Sequence, residues 1–254
     1  MLGDAMNLYL ACKYDEAINY LHEIIRLSPE IPEPYHHLSL IYEKKGETSK
    51  ALDFLMLSAQ LSHGESDIWI RCSYLNRKLN NLQQAEYCIT RALKIEKENP
   101  YLLYERAVLQ EEMGNIRKAA NIYERILKII PNNSDILIYV SNLYLKLKNY
   151  EEAIAILEKY FEKSNKKYLV LVVLFNLYLM NNKYKEGIEF YERMFMKTDE
   201  EETIIPPIDL KLRYLFFKLL SYENRENFDN TQVIVIERFY YSCKQYAKKS
   251  KNLM

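Results

Sequence analysis

A small residue recurs in this chain every 34 positions: Ala17, Ala51, Ala85, Ala119, Ala153 and Gly187, five steps without an insertion. The flanking residues repeat with it, as in Tyr14-Asp-Glu-Ala17, Leu82-Gln-Gln-Ala85, Tyr150-Glu-Glu-Ala153 and Tyr184-Lys-Glu-Gly187. A fixed period of this length is the mark of a repeat architecture, in which each unit buries its apolar face only against its neighbours. Five Gly and seven Pro in 254 residues are too few for a turn-rich all-β chain. Each unit therefore reads as two antiparallel helices that approach closely at the small residue.

The period and its accompanying positions resemble the tetratricopeptide repeat. With the small residue at repeat position 20, position 4 holds Tyr35 and Trp69, then Leu103, Leu137 and Leu171. Position 8, also small in that repeat, holds Ala5, Ser39, Ser73, Ala107 and Ser141, but Phe175 departs. Position 11 holds Leu8, Tyr42, Tyr144 and Tyr178, with polar Asn76 and Gln110 between them. Pro29 and Pro131 at position 32 stop the second helix. Gly46, Asn80-Asn81, Gly114-Asn115, Lys148-Asn149 and Asn181-Asn182 mark the turn inside each pair.

The expected fold is all-α: a tetratricopeptide-repeat right-handed superhelical solenoid of antiparallel helix pairs with a C-terminal capping hairpin. Six repeats span residues 1–197, the first short of its opening turn. An acidic, Pro-containing linker covers 198–207 and an atypical helical hairpin with a basic tail covers 208–254, its helices at 208–222 and 231–247.

Composition narrows the function. Thirty-five basic residues balance 35 acidic ones, which argues against the whole chain being a free-standing nucleic-acid binder. The most apolar run, residues 168–180, is too short to span a bilayer and is interrupted by Asn176. No secretory signal opens the chain and no C-x-x-C is present. Cys72 and Cys88 fall on facing helices and read as buried thiols. No phosphate-binding loop, H-x-x-x-H or nucleophile motif occurs. Adjacent His36 and His37 point about 100° apart on a helix and do not chelate one metal. The expectation is no catalytic site, no metal, no cofactor, no small-molecule substrate and no membrane.

Binding remains. In tetratricopeptide arrays the first helix of each pair lines the concave face, through positions three or four residues apart. Here that stripe is His36 and Leu40, Ile70, Tyr74 and Arg77, Tyr104, Val108 and Glu111, then Asn142 and Asn176. Its middle is apolar and aromatic, as partner-anchoring grooves are. The Lys and Asn four apart that clamp a carboxylate-ended tail in the chaperone-binding class are absent, which disfavours a co-chaperone.

Four stretches are specific beyond the generic repeat. They are Glu23-Ile-Ile-Arg26 with Glu33-Pro-Tyr35 and Ile41-Tyr-Glu43; Ala59-Gln-Leu61 with Trp69-Ile-Arg71; Thr90-Arg-Ala-Leu-Lys94; and Leu103-Tyr-Glu-Arg106 with Glu112-Met-Gly-Asn115 and Tyr123-Glu-Arg-Ile-Leu127. Through them residues 3–128 resemble the tetratricopeptide subunit of general transcription factor IIIC. The resemblance implies a nuclear scaffold (cytoplasmic as the runner-up) whose partners are the other factor IIIC subunits and components of transcription factor IIIB such as the B-related factor. It implies no direct sequence-specific nucleic-acid binding. Members of that family are longer, with an acidic extension and a second array. The alternative is a helical-repeat subunit of another machine: an RNA-processing complex, the anaphase-promoting ubiquitin ligase, or an auxiliary subunit of an N-terminal acetyltransferase.

Overall fold

A computed structural model describes residues 2–62, 64–164, 167–195, 207–221 and 238. Among the described residues all regular structure is helical: α1 Leu2–Leu10, α2 Tyr14–Leu27, α3 Pro32–Lys44, α4 Thr48–Leu61, α5 Ser66–Lys78, α6 Leu82–Ile95, α7 Pro100–Glu112, α8 Ile116–Ile129, α9 Ser134–Lys146, α10 Tyr150–Phe161, α11 Lys167–Met180, α12 Tyr184–Phe195 and α13 Ile208–Leu220. The chain divides into two compact units, Met1–Ile129 and Ile130–Met254. The division falls between α8 and α9, inside the run of repeats.

Local sequence sets the ends of each helix. Pro32 and Pro100 occupy first helical positions, where a missing N–H costs nothing. Asn133 and Asn149 cap α9 and α10 by accepting from the N–H groups of Ile136 and Glu152. The Asn149 side-chain amide also donates to the Glu152 carboxylate, which holds the capping side chain in place.

The turn within each pair repeats as strictly as the sequence does. Cys12, Gly46, Asn80, Gly114, Lys148 and Asn182, each 34 residues from the last, all have φ between 56° and 79°. After each, the next N–H reaches back five residues: Lys13 to Leu8, Glu47 to Tyr42, Asn81 to Asn76, Asn115 to Gln110, Asn149 to Tyr144 and Lys183 to Tyr178, at 2.8–2.9 Å. This is the Schellman closure, in which one left-handed residue satisfies the last carbonyls of the helix. Five of the six turns fall where the sequence predicts them; the turn at Cys12 carries no Gly or Asn to announce it.

In the first unit, Ala17, Ala51, Ala85 and Ala119 are fully buried, and Leu38, Ile41, Leu55, Leu75, Leu103 and Leu127 fill the space between helices. Each fully buried Leu or Ile contributes about 1.5–3 kcal/mol relative to exposure. The Ser73 hydroxyl donates to the Ala85 carbonyl at 3.0 Å, joining positions 8 and 20 across one pair. Polar position 11 has an equally local explanation. The buried Asn76 amide donates to the Cys72 carbonyl at 2.9 Å and lies 3.7 Å from Cys88 Sγ, and the Gln110 amide oxygen accepts from Asn115 at 3.1 Å.

In the second unit, α9 and α10 pair in the same way around Ala153 and Leu157, both fully buried. The pair α11–α12 differs. Phe175, the departure at position 8, is fully buried and stacks on Phe217 of α13 with ring centroids 5.5 Å apart. Gly187 answers it from α12: a Cβ there would lie 2.5 Å from the Phe217 ring. The large residue at position 8 and the missing side chain at position 20 are thus one feature, through which α13 wedges its aromatic rings into the pair. Tyr214 of α13 stacks on Tyr191 at 4.2 Å. The helix expected at 208–222 is present and ends at Leu220. The expected helix at 231–247 apart from residue 238, and the linker apart from Pro207, lie outside the described residues.

Candidate partner-binding face

Three first helices of the first unit lie side by side, tied by ion pairs that the sequence pattern did not announce. Arg71 of α5 reaches Glu43 of α3, and Arg77 of α5 reaches Glu105 and Glu112 of α7. The Arg77–Glu112 contact is forked, with Arg77 Nε 3.0 Å from both carboxylate oxygens. These ion pairs link α3, α5 and α7, with Tyr74 one turn before Arg77 on α5 and Tyr104 next to Glu105 on α7.

The stripe residues of this face differ in their availability. Tyr74 is 61% exposed and Tyr104 46% exposed, large values for aromatic side chains. Tyr104 leans edge-on against the buried Tyr123 ring at 5.8 Å, and the Tyr123 hydroxyl donates to Glu111 at 2.9 Å. Tyr104 and Glu111 are therefore held by the same buried residue. His36, Leu40, Ile70 and Val108 are half-buried. Arg77 is half-buried and already shared between two carboxylates. Tyr101, one turn before Tyr104 and 57% exposed, extends the aromatic surface; the stripe as read from the sequence omits it, although its spacing from Tyr104 is helical.

His36 and His37 are both pushed below the ordinary histidine pKa of 6.5. Burial is the main cause for each, with the Arg71 cation adding to it at His36. Both are neutral at physiological pH. In the second unit, Asn142 and Asn176 are half-buried on α9 and α11. The Asn176 amide oxygen accepts from Arg213 of α13, and Tyr168 of α11 donates to Asp209 of α13 at 2.9 Å. There α13 of the same chain covers part of the stripe.

Cys72 and Cys88 do meet, as their positions on facing helices imply, and both are fully buried, free thiols. The hydrogen bond with Cys88, reinforced by burial, raises the Cys72 thiol above its usual range. Such a thiol is inert rather than nucleophilic. Among the described residues no cluster of three or more His, Cys, Asp or Glu is placed to hold a metal ion, and no helix is long and apolar enough to cross a membrane.

Comparison with known proteins agrees with this geometry. Residues 111–167 match the tetratricopeptide repeat family. The chain is 35% identical over 112 residues to General transcription factor 3C polypeptide 3 of Homo sapiens, a stretch that is 44% of this chain and 13% of the human protein. Among solved structures, a chain of Naa15/Naa10 bound to HypK-THB superposes on 95% of this chain with a TM-score of 0.58 and 15% identity, the match covering 36% of that chain. YrrB, a tetratricopeptide protein with an unusual peptide-binding site, superposes on 68% of this chain with a TM-score of 0.47 and 16% identity, covering 89% of its own chain. The helix pairs, the 34-residue turns and the family match over residues 111–167 show a tetratricopeptide-repeat fold in a chain that resembles, over 112 residues, a subunit of general transcription factor IIIC.

Proposed function

We propose that this chain is a non-catalytic scaffold of the RNA polymerase III transcription apparatus. In this reading it acts in the nucleus as part of factor IIIC and recruits factor IIIB through the concave face made by α3, α5 and α7. The observation that carries the proposal is the 35% identity over 112 residues to a human factor IIIC subunit. The exposed pair Tyr74 and Tyr104 supports the choice of face, because exposed aromatic rings on an ion-paired, rigid support are what partner anchors require. The other factor IIIC subunits and the B-related factor are the partners this reading names, and base-specific DNA contacts fall to other subunits.

The Naa15 likeness, at 15% identity, speaks for the fold alone. A scaffold subunit of a different complex is therefore the competing reading. Affinity purification of the tagged chain from its own cells separates the two. Recovery of factor IIIC subunits or of the B-related factor is expected. Recovery of a different assembly with no polymerase III component overturns the assignment and leaves only the scaffold.

A further inference from the structure

Where the end of α4 meets α5 and α6, within the first unit, the chain encloses a cavity of about 260 Å³, with Ala59, Ser62, Trp69, Arg91, Lys94 and Ile95 in its wall. Arg91 and Lys94, three residues apart, share one face of α6. The Arg91 guanidinium lies over the Trp69 ring, 5.2 Å from its centroid, and Trp69 is itself buried. A buried ring under the guanidinium fixes its plane and leaves its N–H edge open to a ligand. Among the described residues that line the cavity none is acidic, and neither Arg91 nor Lys94 makes an ion pair. The carboxylates immediately adjoining the wall in sequence have other contacts: both Glu96 oxygens accept, from Ser66 and Asn99, and Glu65 is close enough to His36 of α3 to favour its charged form. The negative end of α4, worth about half a unit charge, offsets the two cations only in part.

We infer that this cavity is an anion site whose occupant is a carboxylate side chain, an Asp or Glu of an acidic segment of a protein partner. The Arg91 fork matches the two oxygens of a carboxylate, and Lys94 adds a further donor. Ala59 and Ile95 give the wall an apolar part for the methylenes of that side chain. A phosphate monoester brings a third terminal oxygen and further charge, for which the wall holds no third cation and which the end of α4 opposes. The site shares no residue with the tyrosine stripe, so it stands independently of the reading of that face.

Trp69 is the sole tryptophan of the chain, so its indole N–H gives a single nuclear magnetic resonance signal that reports on this cavity. The isotope-labelled full chain is titrated at fixed ionic strength with a short, end-blocked peptide bearing Glu-Glu-Asp, with its Gln-Gln-Asn counterpart, and with inorganic phosphate. Saturable movement of the Trp69 signal by the acidic peptide is expected, and none by the neutral one. The affinity should fall as salt is raised, and at least about threefold in Arg91→Gln/Lys94→Gln, the scale of exposed charge pairs. Both replaced side chains are exposed, and retained circular dichroism with an unchanged urea midpoint shows that the variant is folded. Arg91→Lys, which keeps the charge and removes the fork, should fall between the two. Equal movement by both peptides, or an affinity unchanged in the double variant, overturns the anion site. Saturable binding of phosphate without binding of the acidic peptide overturns the carboxylate assignment and makes the occupant a phosphate. Movement by none of the three overturns the inference and leaves Arg91 and Lys94 as counter-charges to the end of α4.

Discussion

The left-handed turn residues show what one position contributes. Gly46 and Gly114 adopt positive φ without steric cost, but Lys148 does so at φ 57° and Cys12 at φ 58°. Lys148→Gly is expected to stabilise the chain by about 0.5–1 kcal/mol, after the greater freedom of Gly in the unfolded state is subtracted; the midpoint of urea unfolding measures it. Gly187 is the opposite case. A Cβ there would meet the Phe217 ring at 2.5 Å, so Gly187→Ala should cost about 1–3 kcal/mol. Coupling it with Phe217→Leu should return part of that loss, because the clash is between those two residues. The sequence announced only half of this. The 34-residue period points to all six turns, yet Cys and Lys are not left-handed formers, and the turn at Cys12 is visible only by stepping back 34 from Gly46. Phe175 stands out as a departure in the sequence. Its compensation by Gly187 and α13 depends on a helix outside the repeat pattern.

Helix pairs divide their surfaces between stacking and binding, and the two respond differently to substitution. Ala85 is fully buried where α5 and α6 approach, so Ala85→Leu should destabilise by about 1–3 kcal/mol. Tyr74→Ala should cost under about 0.5 kcal/mol, as exposed substitutions do. Tyr104→Ala should cost about 0.5–1.5 kcal/mol through its edge contact with Tyr123. Equal losses for Ala85→Leu and Tyr74→Ala in the same denaturant series would make this face part of the core. Acid also acts on α3. Burial lowers the pKa of His36 and His37, so the folded state favours their neutral forms, and the stability they contribute is full above 6.5 and lost as pH falls through their lowered values. Thermal unfolding at pH 7 and pH 5 should show a drop that shrinks in His36→Gln/His37→Gln. At this scale the sequence was most legible: alternating small and large positions at helical spacing define both helices and the pairing. The ion pairs among α3, α5 and α7 were not, because charged residues on a helix surface have many possible partners until the neighbouring helices are placed.

The whole molecule comprises two compact units within one run of repeats, and its likeness to the human factor IIIC subunit covers 44% of it. Repeat proteins of this kind spend few residues on anything but stacking and presenting a face. The functional claim therefore concentrates on one surface, α3, α5 and α7 with Tyr74 and Tyr104 at its centre. It is tested most directly by binding of the purified B-related factor of transcription factor IIIB to the intact chain and to its Tyr74→Ala/Tyr104→Ala variant. Saturable binding to the intact chain that weakens at least about tenfold in the folded variant, the scale of a modest hot spot, is the predicted result. No binding to the intact chain, or equal binding to both proteins, would contradict the account.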